Sequence, residues 1–262
     1  MKLRIEQISI YPVKGLRGIQ VTTIGVTPLG LDHDRQWMLV DSKGKFISQR
    51  SHPELALFSC EIKDDKLVVH HKNSSLSITA ALQSAEDEKI EVEVWNSSLL
   101  AGRYQNEVNQ WFSDRLNSDV QLVSYEKFSE RSKHKEFGTL NLRFTDGYPI
   151  LLCSNASLDD LNSRLDAEIQ MNRFRPNLSV SGIPAWSEFK IKHITCGENR
   201  IHFAKPCERC SVTGVDQETA IRQGKEPLRT LVDMHGAPAL FGANMYTEQA
   251  FTLAVGQEFE VD

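Results

Sequence analysis

The sequence predicts a mainly β protein with some helix, of the α+β class. Short runs rich in Val, Ile and Thr recur along the chain, and Gly or Pro residues separate them. We identify helical spacing of apolar residues in two stretches, and strands and helices do not alternate regularly. We therefore expect strands to outnumber helices.

The length of the chain indicates two packed domains. Its 262 residues exceed the roughly 100 to 200 residues that are usual for one domain. With 40% hydrophobic and 25% charged residues, the composition is that of an ordinary globular protein with a sizeable core. We predict a first domain at residues 1–118 and a second at residues 119–262.

Hairpins dominate the predicted first domain, after a meander of short strands from residue 3 onwards. Residues 36–49 predict a hairpin, because Gly44 can supply the positive backbone angle of a tight turn. A second hairpin is expected at 66–80, with its tip at 73–75, and a strand follows at 91–98. Residues 107–116 predict a helix that closes the domain, since four apolar residues share one face: Val108, Trp111, Phe112 and Leu116.

The predicted second domain begins with a charged, exposed connection at 127–141. A buried strand at 148–153 precedes the strongest helix signal of the chain, at 154–169. In that helix Ser157 and Asp160 resemble a capping box, and a stripe of four apolar residues follows: Leu158, Leu161, Leu165 and Ile169. Further strands are expected near 178–182, 189–196, 201–205 and 251–261.

Charge and hydropathy exclude several classes of function. A net charge of −5 without a dense Lys/Arg tract argues against a nucleic-acid binder. The amino terminus lacks the apolar core of a signal peptide, and no apolar run approaches the ~20 residues that span a bilayer. We therefore expect a cytoplasmic protein without membrane contact. Five cysteines are an odd number in such a chain, so they are predicted to be thiols or ligands.

Cys207 and Cys210 form the sharpest local signal, with Lys205 and Arg209 beside them. Neighbouring cations favour a thiolate, which can bind a soft metal or act as a nucleophile. The spacing alone leaves other interpretations open. A zinc site would need about four ligands, a thioredoxin-like dithiol would need a helix after Cys210, and both cysteines could simply fill the core.

Four dispersed cations, Lys14, Arg35, Arg50 and Arg175, stand beside glycine, proline or aromatic residues. Each could be an ordinary surface cation, but convergence on one anion would explain all four. Residues 144–149 offer either an anion nest or a plain turn. The sequence has none of the glycine-rich nucleotide motifs and no G-x-S-x-G pattern.

Seven motifs in this order resemble the MOSC family, over nearly the whole chain. They are YPVKG (11–15), GLDHDRQWMLV (30–40), FTDGYPILLCSNASLDDLN (144–162), NRFRPN (172–177), CERCSVTGVDQETA (207–220), GKEPLRTL (224–231) and FGANM (241–245). The resemblance is strongest to the branch that contains amidoxime-reducing molybdenum enzymes. It implies an amino-terminal β-barrel module packed on a β-barrel-like MOSC domain.

The resemblance also implies the site. Cys210 matches the family's metal-binding cysteine, and Asp216 is a weaker candidate for ordering substrate or protons. An ordinary turn aspartate is the alternative for Asp216, and Gly147 and Tyr148 depart from the small hydroxyl residues of relatives. The implied positions around a molybdenum-pterin cofactor are Lys14, Gly15, Arg35, Asp146, Gly147, Tyr148, Arg175, Asn177, Arg209 and Asn244.

The implied activity is reduction of N-oxygenated compounds, by two-electron oxygen transfer to molybdenum. Cys207 then need not bind metal. Some bacterial relatives carry an iron-sulfur module, whereas no cysteine follows Cys210 in this sequence. We therefore expect a separate flavin or iron-sulfur electron-donor protein. The alternative is a non-catalytic module that binds the cofactor or carries sulfur.

Overall fold

The structure is a computed structural model that describes residues 1–63, 66–71, 77–81, 89–135 and 138–262. The predicted hairpin tip at 73–75 and residues 136–137 of the charged connection lie outside the described residues. Strands dominate the described chain, which confirms the expected α+β class with a barrel.

Twelve strands and one helix lie in the described part of the first half of the chain. Their bounds are β1 Lys2–Ile10, β2 Val13–Lys14, β3 Ile19–Val21, β4 Thr23–Thr27, β5 Gly30–Leu31, β6 Trp37–Asp41, β7 Phe58–Lys63, β8 Lys66–His71, β9 Ser77–Ala81, β10 Lys89–Val94, β11 Ser97–Arg103, α1 Asn106–Leu116 and β12 Val120–Ser124.

Nine strands and two helices follow in the described part of the second half. Their bounds are β13 Ser132–Lys135, β14 Gly138–Asn141, β15 Ile150–Ser154, α2 Asn155–Asn162, β16 Leu178–Ser181, β17 His193–Cys196, β18 Asn199–Glu208, α3 Leu228–His235, β19 Leu240–Tyr246, β20 Phe251–Ala254 and β21 Glu258–Val261. Short 3₁₀ helices lie at Pro53–Leu57, Met171–Arg173, Ser187–Phe189 and Ser211–Gly214.

Seven strands close into a barrel in the order β1, β16, β15, β19, β18, β17 and β21, with β21 pairing back to β1. The pair β15 and β16 is parallel, and the other pairs are antiparallel. Strand β3 pairs with residues Ile8 to Ile10 of β1 and extends this sheet outside the closed ring. One cluster of buried side chains packs the barrel, and it includes Leu3, Ile5, Leu152, Val180 and Met245.

A five-stranded sheet, in the order β10, β11, β12, β6 and β2, packs beside the barrel and is here called the N-terminal sheet. Helix α1 lies at the predicted residues and buries Phe112 and Leu116 in a cluster with Val13, Trp37 and Phe58. Strand pairing crosses the predicted domain boundary, because β1 belongs to the barrel and β12 to the N-terminal sheet. The boundary between residues 118 and 119 stays a prediction.

The first hairpin turns where the sequence predicts it, with a φ of 77° at Gly44. A side chain there would lie 2.5 Å from the carbonyl oxygen of Glu91, so glycine is required. The returning arm forms isolated bridges, Phe46 with Val40 and Lys45 with Glu93, rather than a strand. Ile47 still donates to the Leu39 carbonyl at 3.0 Å, and the chain that follows lines the cleft from Ser48 to Arg50.

The predicted helix at 154–169 is wrong in its extent, because α2 ends at Asn162. The Asn162 side chain donates to the carbonyl of Ile169 and accepts from its N–H, at 3.1 and 3.0 Å, and so closes a loop. Ser157 does not cap the helix either. It lies inside α2, where its hydroxyl donates to buried Glu188 and accepts from the Trp186 N–H.

Helix α3 is absent from the sequence-based prediction. It spans only Leu228–His235 and buries one residue, Leu231, so its apolar pattern is too short to stand out. The helix packs against β19 and the 3₁₀ helix after Cys210. It thereby supports the segment that carries Cys210.

Candidate cofactor site

A cleft lies between the barrel and the N-terminal sheet. The enclosed volume of the cleft is about 130 Å³, and the cleft is open to solvent at its mouth. Eleven of the twelve predicted site residues line it, namely Lys14, Gly15, Arg35, Asp146, Gly147, Tyr148, Arg175, Asn177, Arg209, Cys210 and Asn244. These residues come from distant parts of the sequence, so the fold brings them together.

Asp216 does not line the cleft. Its Oδ1 accepts hydrogen bonds from the backbone N–H groups of Glu218 and Thr219, at 3.0 and 2.9 Å. Its Oδ2 accepts from Arg173 at 3.1 Å. This arrangement organises a turn, which is the alternative that the sequence left open for this aspartate.

Lys14 and Asp146 form an ion pair in the wall of the cleft. Parallel pairing of β2 with β6 places Lys14, and its Nζ also donates to the carbonyl of Phe144 at 2.9 Å. Burial lowers the pKa of Lys14 to about 8, although Asp146 opposes that change. Lys14 and the indole N–H of Trp95, at 3.0 Å, lower the pKa of Asp146.

Two guanidinium groups pack on the ring of Tyr11. The Cζ atoms of Arg35 and Arg175 each lie 4.2 Å from the ring centroid. Arg35 is held by both oxygens of buried Asp34, at 2.7 and 2.6 Å. Both arginines have a positive φ, 49° and 56°, which is strained for residues with a side chain and is characteristic of ligand sites.

Arg175 and Arg209 each have an N–H donor that makes no hydrogen bond to the described residues. Arg175 Nη1 and Arg209 Nε are buried and have no partner among the described residues. Burial lowers the pKa of Arg175 to about 10, so the group remains a cation at neutral pH. Buried donors without acceptors are rare in folded proteins, and an anionic ligand in the cleft would satisfy them.

Asn177, Gly15 and Asn244 shape the wall mainly through backbone contacts. The buried amide of Asn177 joins two strands, donating to the Ser9 carbonyl and accepting from the Leu151 N–H. Gly15 has a φ of 92°, and Asn244 Nδ2 lies 3.5 Å from the Pro206 carbonyl. These contacts fix the chain that presents the cations.

Cys210 lies just past the end of β18, and its side chain is exposed in the cleft. Nη1 of Arg50 lies 3.6 Å from its Sγ, so a cation of the first half meets a thiol of the second. Cys207 has a different partner, since Arg209 Nη1 lies 2.9 Å from its Sγ. The two cysteines therefore occupy different electrostatic environments, and Cys210 is the one that is exposed.

The arrangement fits an anionic cofactor that carries a soft metal. A thiolate is a soft ligand, and Cys210 offers one thiol at the cleft surface. Lys14, Arg35, Arg175 and Arg209 offer positive charge for a phosphate or another oxyanion. Among the described residues, no group of three or more His, Cys, Asp and Glu side chains is placed to hold a metal.

Arg50 was predicted as one of four dispersed cations, but its contact with Cys210 was not predicted. Trp95 was not predicted as a site residue, although its ring lies 4.3 Å from the Arg50 Cζ and its indole contacts Asp146. Phe46 and Phe174 line the cleft as well. No local signal marks these aromatic residues, because each contact joins segments that are far apart in the chain.

Two family models match the chain. The MOSC N-terminal beta barrel domain matches residues 2–119, and the MOSC domain matches residues 139–260. Among the described residues, no helix combines the length and the apolar character needed to cross a membrane.

Several characterised proteins are similar to this chain over most of its length. The mitochondrial amidoxime reducing component 2 of Bos taurus is 28% identical over 272 residues, 96% of this chain and 81% of the bovine protein. The mitochondrial amidoxime-reducing component 1 of Homo sapiens is 29% identical, over 96% of this chain and 81% of the human protein. The molybdenum cofactor sulfurase of Oryza sativa subsp. japonica is 30% identical, over 87% of this chain but only 30% of the rice protein. With both domains matched in order, the chain belongs to the MOSC family, and its function is related to the molybdenum cofactor.

Proposed function

We propose that this protein is a molybdenum-cofactor-dependent oxidoreductase that reduces N-oxygenated compounds. One observation carries the proposal: an exposed thiol, Cys210, lies in a cleft whose walls hold cations with N–H groups that have no partner among the described residues. The amidoxime-reducing relatives from cattle and humans support the reaction class. Amidoximes are therefore the first substrates to test.

In this proposal the residues that line the cleft have different roles. Cys210 binds the metal, and Arg50 places a positive charge beside the sulfur. Arg175 and Arg209 donate to the anionic part of the cofactor through Arg175 Nη1 and Arg209 Nε, which have no partner in the described part of the chain. Lys14, Arg35 and the loop at 145–148 hold the cofactor in the cleft, mainly by charge and backbone contacts.

The cofactor, when bound, supplies the two-electron redox chemistry. Reduction of an amidoxime to an amidine consumes two electrons and two protons and releases one molecule of water. A separate flavin or iron-sulfur protein supplies the electrons. The cytoplasmic location expected from the sequence stays a prediction, since the vertebrate relatives are named as mitochondrial.

A turnover assay tests the proposal. The protein is produced in a host that makes the molybdenum cofactor, its metal and pterin contents are measured, and benzamidoxime is supplied with reduced benzyl viologen. We expect benzamidine to form, and we expect Cys210→Ser to abolish the reaction. Fully loaded wild-type protein that forms no benzamidine would overturn the proposal.

The second candidate function is a non-catalytic module that binds the cofactor or carries sulfur. The similarity to the rice molybdenum cofactor sulfurase favours it, because that match spans 253 residues. The module would retain metal and pterin in the same cleft without reducing benzamidoxime. Sulfur bound to Cys210, detected by mass spectrometry after incubation with a cysteine desulfurase and cysteine, would identify a carrier.

A further inference from the structure

Three cations share one face of the chain at β13. Arg131, Lys133 and Lys135 alternate along an extended segment, so their side chains point the same way. The N–H of Leu142 donates to the carbonyl of Arg131 at 2.8 Å, which continues the strand ladder to the first of these residues. Arg131 is buried, whereas Lys133 and Lys135 are partly exposed, so we call these two lysines the cationic strand face.

The segment that carries the cationic strand face borders the cleft. Arg131 Nη1 donates to the carbonyl of Thr145 at 2.7 Å, and Lys133 Nζ donates to that of Asp146 at 3.1 Å. Lys135 Nζ lies 4.6 Å from the ring centroid of Tyr148. The face therefore runs along the cleft loop at 145–148, outside the cofactor cleft itself.

Neither lysine of this face forms an ion pair with a described carboxylate, although Asp146 attracts Lys133 electrostatically. Behind the two lysines, Nε and Nη2 of Arg131 are buried without partners among the described residues. Partial burial and the cations Arg131 and Lys135 lower the pKa of Lys133. Like charges on one strand face repel each other, so an anionic partner would relieve a cost that the isolated protein bears.

We propose that the cationic strand face is the docking surface for the electron-donor protein, and that the donor presents an acidic surface to it. The proposal rests on the proposed function, because a reductase must receive its electrons at this cleft. A protein fits better than a small anion, since Lys133 and Lys135 stand outside the cleft lining and follow its rim. A positive rim in a chain of net charge −5 would also steer an acidic protein toward one face.

The test measures binding without turnover, so it does not depend on reductase activity. Calorimetry at low salt measures the affinity of the full-length, cofactor-loaded protein for two acidic probes, a [2Fe–2S] ferredoxin and a flavodoxin. The variant is Lys133→Glu with Lys135→Glu. The matched control is Lys190→Glu with Lys192→Glu, which has the same spacing and charge change at two exposed lysines outside the cleft lining.

We expect wild type and the control to bind at least one probe. The variant Lys133→Glu with Lys135→Glu, called the rim variant below, should bind that probe at least about tenfold more weakly. Wild-type affinity should fall steeply as salt rises, and basic cytochrome c should not bind. The variant Lys133→Gln with Lys135→Gln should bind with an affinity between those of wild type and the double glutamate variant. Its melting temperature is measured to check that it is folded. Three outcomes would overturn the proposal: equal affinity for all variants, no wild-type binding to either probe, or binding of inorganic phosphate alone.

Kinetics then separate the two proposals. With the bound probe as donor, the rim variant should lose kcat/KM by the same factor as affinity. With reduced benzyl viologen, it should keep wild-type turnover. Loss of turnover with both donors would overturn the docking surface, whereas salt-sensitive binding without benzamidoxime reduction would overturn only the proposed reaction.

Discussion

Arg50 Nη1 lies 3.6 Å from Cys210 Sγ, although 160 residues separate the two in the chain. Trp95 supports the guanidinium from one side, with its ring centroid 4.3 Å from Cζ. Arg222, which follows Cys210, donates to the carbonyls of Gln49 and Arg50. The N-terminal segment and the Cys210 segment thus hold each other in place at the cleft.

Arg50→Met should lower benzamidoxime turnover by about 10- to 100-fold, because a hydrogen bond to a charged group contributes about 1.5 to 3 kcal/mol. Metal and pterin contents should stay near wild type, since other cations hold the cofactor. Arg50→Lys should recover part of the activity. Wild-type turnover in Arg50→Met would show that this cation has no role in the reaction.

Cys210→Ser and Cys207→Ser should differ in metal coordination. Cys210 is exposed in the cleft, whereas Cys207 contacts Arg209. We expect altered molybdenum coordination by X-ray absorption only in Cys210→Ser, with pterin retained by the cations. Equal disruption in both variants would instead indicate a shared dithiol site.

Arg175→Met should reduce pterin retention, because the variant loses a cation whose Nη1 has no partner among the described residues and could donate to the cofactor. We expect cofactor affinity to fall about 10- to 100-fold. Arg164→Met is the control, since Arg164 is exposed and pairs with Asp160 outside the cleft. Pterin fluorescence after dialysis measures retention, and comparable loss in both variants would contradict the assignment.

The buried charge of Lys14 predicts a pH dependence of stability. Burial lowers its pKa from 10.5 to about 8, so the folded protein releases this proton before the unfolded chain does. Between pH 8 and 10.5 the unfolded state binds more protons, and stability therefore rises with pH by at most about 3 kcal/mol. Below pH 8 this contribution is constant and unfavourable.

Urea unfolding of the cofactor-free wild type and Lys14→Met at pH 7, 8, 9 and 10 isolates this contribution. The free energy of unfolding of wild type, relative to Lys14→Met, should increase from pH 8 to pH 10. A difference that does not change with pH would show that Lys14 keeps its ordinary pKa in the fold.

Gly242→Ala should destabilise the barrel where β19 passes β15. An added Cβ would lie 2.6 Å from Cys153 Sγ and 2.8 Å from the Leu152 carbonyl oxygen, at a φ of 79°. We expect a loss of roughly 2 to 4 kcal/mol from overpacking and backbone strain. Gly197→Ala is the control, because φ there is 60° and nothing lies within 4 Å, so it should lose only about 1 kcal/mol. If urea unfolding shows that the two variants lose equal free energy of unfolding, overpacking at Gly242 does not contribute.

The sequence alone determined the strand content, the position of α1 and the turn at Gly44, because apolar periodicity and glycine geometry are local properties. It did not determine the end of α2. Its apolar spacing continues to Ile169, but the side chain of Asn162 binds the backbone of that residue and competes with the helix. Leu165 and Ile169 still pack in the same cluster, as their apolar character requires.

The residues of the candidate site were also predicted in part from the sequence, and their contacts came only from the tertiary structure. Motif resemblance named Cys210 and the cations, because these residue types are unusual in their local settings. Only the tertiary structure decided that Arg50 faces Cys210 and that Trp95 joins Arg50 to Asp146, while Asp216 is confined to a turn. Sequence periodicity reports which side of a strand or helix is buried. Contacts across 160 residues depend on how the closed barrel and the N-terminal sheet pack, and no local pattern encodes that packing.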